Sequence, residues 1–199
     1  MKQKICIFAL LLFVGCGAVF AQSKKGEEDL QYKLLATTKT STMQKELDEA
    51  AAKGYRILVG SPTSNAEMAI FLTREATPEN PYKYELLATT RTGTMQKELN
   101  EAAARGFRLL PRTMIAKAQL IGGIEIVVIL EKPPVVTKQY DYKLLATSLT
   151  STLQKEVTEA QTAGYVIVGM VSRGEHLVIM ERESNKTAVI SSENDEREK

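Results

Sequence analysis

The sequence predicts an α+β protein of three tandem strand–helix–strand–strand (βαββ) modules, each a three-stranded mixed sheet with one helix. First, one stretch recurs from Tyr32, Tyr84 and Tyr142, and the later copies match the first at about 20 and about 17 of roughly 28 positions. Second, the apolar spacing within each copy changes from alternating to helical and back. Third, proline-bearing connectors at 76–81 and 133–137 separate the copies. Modules of about 45 residues are marginal alone, so they are expected to pack together as one unit.

Composition shifts along the chain set the predicted boundaries. The predicted segments are a leader at 1–21, a flexible lead-in at 22–30, modules at 31–76, 83–132 and 140–183, and a disordered charged tail at 184–199. The whole chain has 26 Lys and Arg against 24 Asp and Glu. Two of the basic residues lie in the leader, so the remainder is formally neutral, which gives no support for nucleic acid as a partner.

An export leader is predicted at the N-terminus. Lys2 and Lys4 precede an apolar run over residues 5–14, which is shorter than a comfortable membrane span. Small residues then lead to the expected signal-peptidase cut between Ala21 and Gln22. The protein is therefore expected to be exported, to the periplasm or outside the cell, with no transmembrane span in the mature chain.

Both cysteines, Cys6 and Cys16, lie in this leader. An alternative interpretation is a lipoprotein signal in which Cys16 carries the lipid and anchors the protein to a membrane. Under the first interpretation the mature chain has no thiol, and therefore no disulfide, cysteine nucleophile or cysteine metal site.

Each module is predicted to begin with a strand and a helix. The strand at 32–38 has apolar residues on both faces, so it is expected to be covered on both sides. The helix is expected to begin at an N-cap, Ser41 or Ser151, with a glutamine three residues on in the capping-box spacing, and Gly93 takes this place in the second copy. Gly54 is expected to end the first helix. The apolar stripe of that helix consists of Met43, Leu47, Ala50 and Ala51.

Two further strands are predicted in each module. They lie near 55–61 and 67–74, 107–115 and 124–131, and 165–172 and 175–182. A right-handed crossover would make the first two strands parallel, with the third between them and antiparallel to both. The third strand is the most apolar, so it is expected to be buried on both faces. The sheet face away from the helix must then be covered by another module or by another subunit.

A glycine–aromatic pair follows each helix, and a basic residue follows each hairpin. These residues are Gly54-Tyr55, Gly106-Phe107 and Gly164-Tyr165, with Arg74, Lys132 and Arg182. The pattern resembles small bacterial βαββ domains of unknown function, and it covers most of the chain beyond the leader. The resemblance implies three tandem domains and no particular reaction.

The sequence contains no pattern typical of a catalytic centre, such as a Gly-rich phosphate loop, a nucleophile elbow or a His-based zinc motif. His176 is the only histidine, and one His without Cys makes a poor metal site. The residues kept in all three copies are those that build the module. We therefore expect no catalytic residue, no metal and no cofactor, and we read the protein as not an enzyme.

A Thr-rich segment precedes each helix, where free backbone N–H groups and the positive end of the helix dipole would favour an anion or a glycan. The candidate residues are Thr38, Thr40, Ser41, Thr42, Thr90, Thr92, Thr94, Thr150, Ser151 and Thr152. The alternative is that they only cap helices and bond to strand edges.

The second hairpin is longer than the others and apolar near its tip. If its side chains are exposed, they mark a surface for a protein partner or for self-association, and if the strands extend further, they are core. These residues are Met114, Ile115, Leu120 and Ile121. The expected function is that of an exported, non-enzymatic binding or structural protein of the cell envelope. The alternative is a small-ligand, anion or glycan sensor that uses the helix N-termini.

Overall fold

Three βαββ modules follow one another along the chain, which confirms the predicted fold class. The computed structural model describes residues 30–63, 66–75, 81–119 and 123–184. The leader with its Ala21–Gln22 cut and Cys16, part of the first connector, Leu120 and Ile121, and the tail from 185 lie outside the described residues. Residues Gln31–Lys199 belong to one unit, which is the one described below.

The elements follow the predicted order. The first module has β1 (Tyr32–Thr37), α1 (Thr40–Ala52), β2 (Tyr55–Pro62) and β3 (Met68–Arg74). The second has β4 (Lys83–Thr89), α2 (Thr92–Ala104), β5 (Arg108–Leu109), β6 (Ile115–Ala118) and β7 (Ile124–Lys132). The third has β8 (Tyr140–Thr147), α3 (Thr150–Thr162), β9 (Val166–Ser172) and β10 (His176–Glu183).

The last strand of each module lies in the centre of its sheet, as predicted. The strand orders are β1-β3-β2, β4-β7-β5 and β8-β10-β9, and β6 also pairs with β7. Every neighbouring pair is antiparallel, so the term mixed is wrong for the hydrogen bonding, although the two outer strands of each sheet run parallel. This order leaves β1, β4 and β8 each at one edge of its sheet.

The second strand of the middle module is interrupted, which corrects the continuous strand predicted at 107–115. It ends at Leu109, and a 3-10 turn over Pro111–Thr113 separates it from β6. Pro111 has no N–H to donate to the ladder. The hydroxyl of Thr113 takes the place of a strand partner, because it accepts the N–H of Ile129 at 3.1 Å. Thr113 is fully buried at this point.

Helices and sheets alternate as layers of one stack. α1 contacts β1 and β2 of its own module and β4 of the next, and α2 contacts β4 and β5 of its own module and β8 of the next. α3 contacts β8 and β10 of its own module. The order of layers is therefore sheet, helix, sheet, helix, sheet, helix, with a sheet at one end and α3 at the other.

The central strands show which sheet faces are covered. In β7, Ile126 and Val128 face α2, while Val127 and Ile129 join the core of the first module, and all four are fully buried. The prediction of burial on both faces is confirmed there and wrong for β3, where Phe71 is 45% exposed. Among the residues that the structure describes, no helix or sheet packs on the outer face of β3.

The helix ends are partly as predicted. Gly54, Gly106 and Gly164 follow the helices with positive φ angles of 82°, 89° and 86°, which glycine adopts at little cost. The predicted N-caps are wrong. The helices begin two positions earlier than Ser41 and Ser151 would require, after Lys39, Arg91 and Leu149, and no side chain caps them.

Candidate interaction surfaces

A glutamine of each of the first two helices bonds to the edge strand of the next module. Gln44 donates from Nε2 to the Tyr84 C=O at 3.0 Å, and its Oε1 accepts the Leu86 N–H at 2.8 Å. Gln96 makes the same two bonds to β8, at 2.8 Å with Tyr142 and 2.7 Å with Leu144. The side-chain amide thus pairs with the outer edge of the strand as another strand would. We call this two-bond contact the glutamine bridge.

A second contact joins neighbouring modules through an arginine, a glutamate and a tyrosine. Arg56 of β2 donates to both carboxylate oxygens of Glu131 in β7, at 2.8 and 3.0 Å. The Tyr84 hydroxyl donates to Glu131 and accepts the Ile57 N–H at 3.1 Å. The guanidinium of Arg56 also lies 4.2 Å from the centre of the Tyr82 ring. We call this arrangement the arginine–glutamate clamp.

The clamp is built again between the second and third modules. Arg108 pairs with Glu181, the Tyr142 hydroxyl accepts the Leu109 N–H at 2.7 Å, and Arg108 lies 4.2 Å from the ring of Tyr140. Glu131 and Glu181 are buried, so each carboxylate depends on its arginine and tyrosine for compensation.

The electrostatics of the two clamps agree with this burial. The hydrogen bond with Glu131 raises the pKa of Arg56 above its usual value, and that with Glu181 does the same for Arg108. Burial raises the pKa of the Tyr84 and Tyr142 hydroxyls well above the usual tyrosine value. Both arginines therefore stay charged and both tyrosines stay neutral in the folded protein. The clamps therefore hold neighbouring modules together through a charged arginine and a neutral tyrosine.

The outer face of the first sheet carries the tyrosine and the leucine of these contacts, but no helix of the described residues packs on it. Tyr32 pairs with Thr73 in the register in which Tyr84 pairs with Glu131 and Tyr142 with Glu181. Tyr32 is 58% exposed, whereas Tyr84 and Tyr142 are 4% and 3% exposed. Leu34 and Phe71 beside it are about half exposed. We call the surface formed by Tyr32, Leu34, Ala69, Phe71 and Thr73 the front face.

At the opposite end of the stack, α3 and β9 expose residues whose equivalents in the other modules are buried by the next module. Ile57, Leu109 and Ile167 occupy equivalent positions, since they pair with Leu72, Leu130 and Met180. Ile57 and Leu109 are 5% and 2% exposed beneath the tyrosine of the next module, and Ile167 is 56% exposed. The matching helix side chains, Leu153 and Val157, are only half-buried. We call the surface formed by Leu153, Gln154, Val157, Val166 and Ile167 the rear face.

A polar cleft of about 610 Å³ runs beside the two clamps. Its cations are Arg56, Arg108 and Lys138. Each is paired with a carboxylate, and the partner of Lys138 is Glu183 at 2.8 Å. A cleft whose charges are already neutralised has little to offer an ionic substrate.

The Thr-rich segments are not brought together into one site. They lie at the starts of three helices in different layers, and the strand-end hydroxyl of Thr37 accepts the N–H of Lys39 at 3.2 Å. Near α1, Thr40 and Ser41 line a shallow cleft of about 310 Å³ that also contains the carboxylate of Glu98. A carboxylate beside the cleft opposes an anion. The anion or glycan hypothesis stays a prediction.

The candidate interface residues of the second hairpin lie in different environments. Ile115 is 1% exposed and belongs to the core shared with the first module. Met114 is half-buried against Gly169 of β9. Both residues therefore join modules within the chain. The interface interpretation for Leu120 and Ile121 stays a prediction.

The other candidates for chemistry stand apart from these surfaces. His176 is half-buried at the start of β10, with its Nδ1 3.4 Å from the hydroxyl of Ser172. Within the described ranges, no three or more His, Cys, Asp or Glu residues group as metal ligands would. None of the described helices combines the length and apolarity needed to cross a membrane.

Neither the glutamine bridge nor the clamp is predicted from the sequence, although the sequence holds a signal for the clamp. Gln44, Gln96 and Gln154 are shared by all copies, but Arg56 and Arg108 become Val166 in the last copy. Glu131 and Glu181 correspond to Thr73 in the first copy. Residues that differ only in a terminal copy indicate contacts between copies, because terminal repeats lack one neighbour.

The chain matches no protein-family model, no curated protein and no solved structure. The resemblance to small βαββ domains of unknown function stays a prediction.

Proposed function

We propose that the chain is a non-enzymatic binding or structural protein that acts through the open ends of its stack. One observation carries the proposal. The front face presents Tyr32, Leu34 and Phe71 to solvent, while the equivalent faces of the other two sheets lie under a helix. A contiguous apolar face of this kind is typical of a protein interaction site.

The polar cleft supports a non-enzymatic role, since each of its three cations, Arg56, Arg108 and Lys138, is paired with a carboxylate. The proposal also places the protein in the cell envelope, on the strength of the leader pattern over residues 1–21.

Photo-crosslinking in the producing cells tests this function. A benzophenone amino acid replaces Tyr32 in one variant and Phe71 in another. A third variant carries it at Val135, which is 72% exposed in the second connector and serves as the matched control. We expect a discrete adduct with a protein from positions 32 and 71 and none from position 135. The absence of an adduct from both front-face positions would overturn the proposed function.

A further inference from the structure

The front and rear faces carry the two halves of a contact that the chain already makes twice. Where the tyrosine and the isoleucine or leucine meet, as in Tyr84 with Ile57, both are buried and joined by an N–H to hydroxyl bond. The unmatched tyrosine is Tyr32 and the unmatched isoleucine is Ile167, and each is more than half exposed. They lie at opposite ends of the stack, so they cannot meet within one chain.

The glutamine bridge is also available for a third contact. Gln154 holds the position of Gln44 and Gln96, but its amide bonds to Thr158 of the same helix at 3.3 Å. The edge strand β1 keeps the acceptor and donor that the bridge requires, the C=O of Tyr32 and the N–H of Leu34, in the register that Tyr84 and Leu86 have in β4.

Each contact between modules contains one ion pair, and both members of this pair are absent from the two open ends. Val166 stands where Arg56 and Arg108 stand, and Thr73 stands where Glu131 and Glu181 stand. Joining the faces would therefore bury no unpaired charge, and a buried ion pair exchanged for uncharged side chains costs little or nothing. Loss of only one member would have left a carboxylate or a guanidinium without its partner.

One further difference, in α3, would make the third contact looser than the other two. Ala51 and Ala103 are buried where their helices meet the next module, and the equivalent residue of α3 is the exposed Gln161. A longer polar side chain at this position holds the layers further apart. Association through these faces is therefore expected to be reversible.

We propose that the partner of the front face is the rear face of a second copy of this chain. α3 and β9 of one copy pack on the first sheet of the next, and Gln154 bonds to the edge of β1, which continues the alternation of helices and sheets from copy to copy. The contact is head-to-tail, so copies add in an open stack or a closed ring. This inference rests on the proposed function and names its partner.

Two variants that each block one face test the proposal in the purified protein. Leu34→Arg blocks the front face and Ile167→Arg blocks the rear face, and both residues are at least half exposed, so the fold should tolerate the change. Val135→Arg is the matched control. Sedimentation should show that the unchanged protein and Val135→Arg grow in mass with concentration, while each blocked variant stays at the mass of one copy.

Mixing the two blocked variants gives the decisive readout. The intact rear face of Leu34→Arg can dock on the intact front face of Ile167→Arg, so a one-to-one mixture should give a particle of twice the single-copy mass and no larger. A protein that stays a single copy at all concentrations would overturn the proposal. So would association that survives Ile167→Arg but not Leu34→Arg, because that result indicates two front faces packed together.

The crosslinking experiment separates this inference from the function on which it rests. Adducts from positions 32 and 71 that contain a different protein would overturn self-stacking and leave the proposed function standing. Adducts between two copies support both. Equal unfolding midpoints for the blocked variants and the unchanged protein, at a concentration at which none of them associates, show that a loss of association does not come from a loss of fold.

Discussion

The first strand of the repeat contributes the same apolar residues to the contact between the first two modules and to the open front of the first module, yet one is core and the other is surface. Tyr84 is 4% exposed beneath α1, and Tyr32, at the same place in the repeat, is 58% exposed. The repeated stretch therefore encodes an interior layer, with apolar residues on both faces of its strand. Each copy is complete only where it has neighbours on both sides.

The two ends of the stack differ in how far they depart from this interior design. At the rear, Gln161 replaces a buried alanine and Val166 replaces an arginine. At the front, a threonine replaces a glutamate, and the apolar residues of β1 are kept unchanged. The rear end thus gains one polar side chain and loses a cation, while the front end loses an anion and keeps its apolar strand residues.

The largest expected effect comes from comparing one helix position between α2 and α3. Met95 is 1% exposed between two sheets, and Leu153, its equivalent in α3, contacts one sheet. Met95→Ala should lower the free energy of unfolding by about 2–5 kcal/mol, the usual cost of a large cavity in a core. Leu153→Ala should cost less than half as much. Urea unfolding at low protein concentration measures both, and equal losses would contradict the distinction between covered and open layers.

The next effect concerns the arginine–glutamate clamp. Arg56→Val leaves the buried carboxylate of Glu131 without its cation, and we expect a loss of about 2–3 kcal/mol in the free energy of unfolding. Adding Glu131→Thr gives the combination of valine and threonine that Val166 and Thr73 provide at the two ends of the stack. The double variant should therefore be more stable than Arg56→Val alone, and a double-mutant cycle measures the difference. Simple additivity would show that the two side chains do not interact.

The fold could be predicted because its signals are local and occur three times. Alternation gave the strands, the spacing of Met43 and Leu47 gave the helix, and Gly54 gave its end. The repeat does not predict that the second strand of the middle module ends at Leu109, because the equivalent strands β2 and β9 are continuous. Pro111 indicates the interruption, since a proline has no N–H to donate to a neighbouring strand.

The contacts between modules could not be predicted in the same way. Arg56 and Glu131 are 75 positions apart, and no local pattern pairs them. The spacing of Gln44 from Ser41 predicts a capping box. The spacing is coincidental, and the amide in fact bonds to another module. The sequence does not distinguish a side chain that bonds to another module from one that bonds within its own helix.

A smaller effect is expected at the glutamine that the helices share, because Gln44 bonds to another module and Gln154 bonds within its own helix. Gln44→Ala removes both bonds to the edge of β4 and leaves the Tyr84 C=O and Leu86 N–H without those partners, so we expect a loss of about 1–2 kcal/mol. Gln154→Ala removes a bond within an exposed helix face and should change the stability of a single copy by less than about 0.5 kcal/mol. The measurement is urea unfolding at a concentration at which the protein does not associate.

The smallest expected effect tests whether Ser41 caps α1. The sign of the change in unfolding free energy gives the answer. If Ser41 were the N-cap, Ser41→Ala would cost about 1 kcal/mol. In the structure Ser41 lies inside α1, which begins after Lys39, and its side chain caps nothing. Alanine is a better helix former than serine, so Ser41→Ala should leave the unfolding free energy unchanged or raise it by up to about 0.5 kcal/mol. Ser151→Ala in α3 should behave alike, because the two helices start in the same way, and a clear loss in both would restore the capping interpretation.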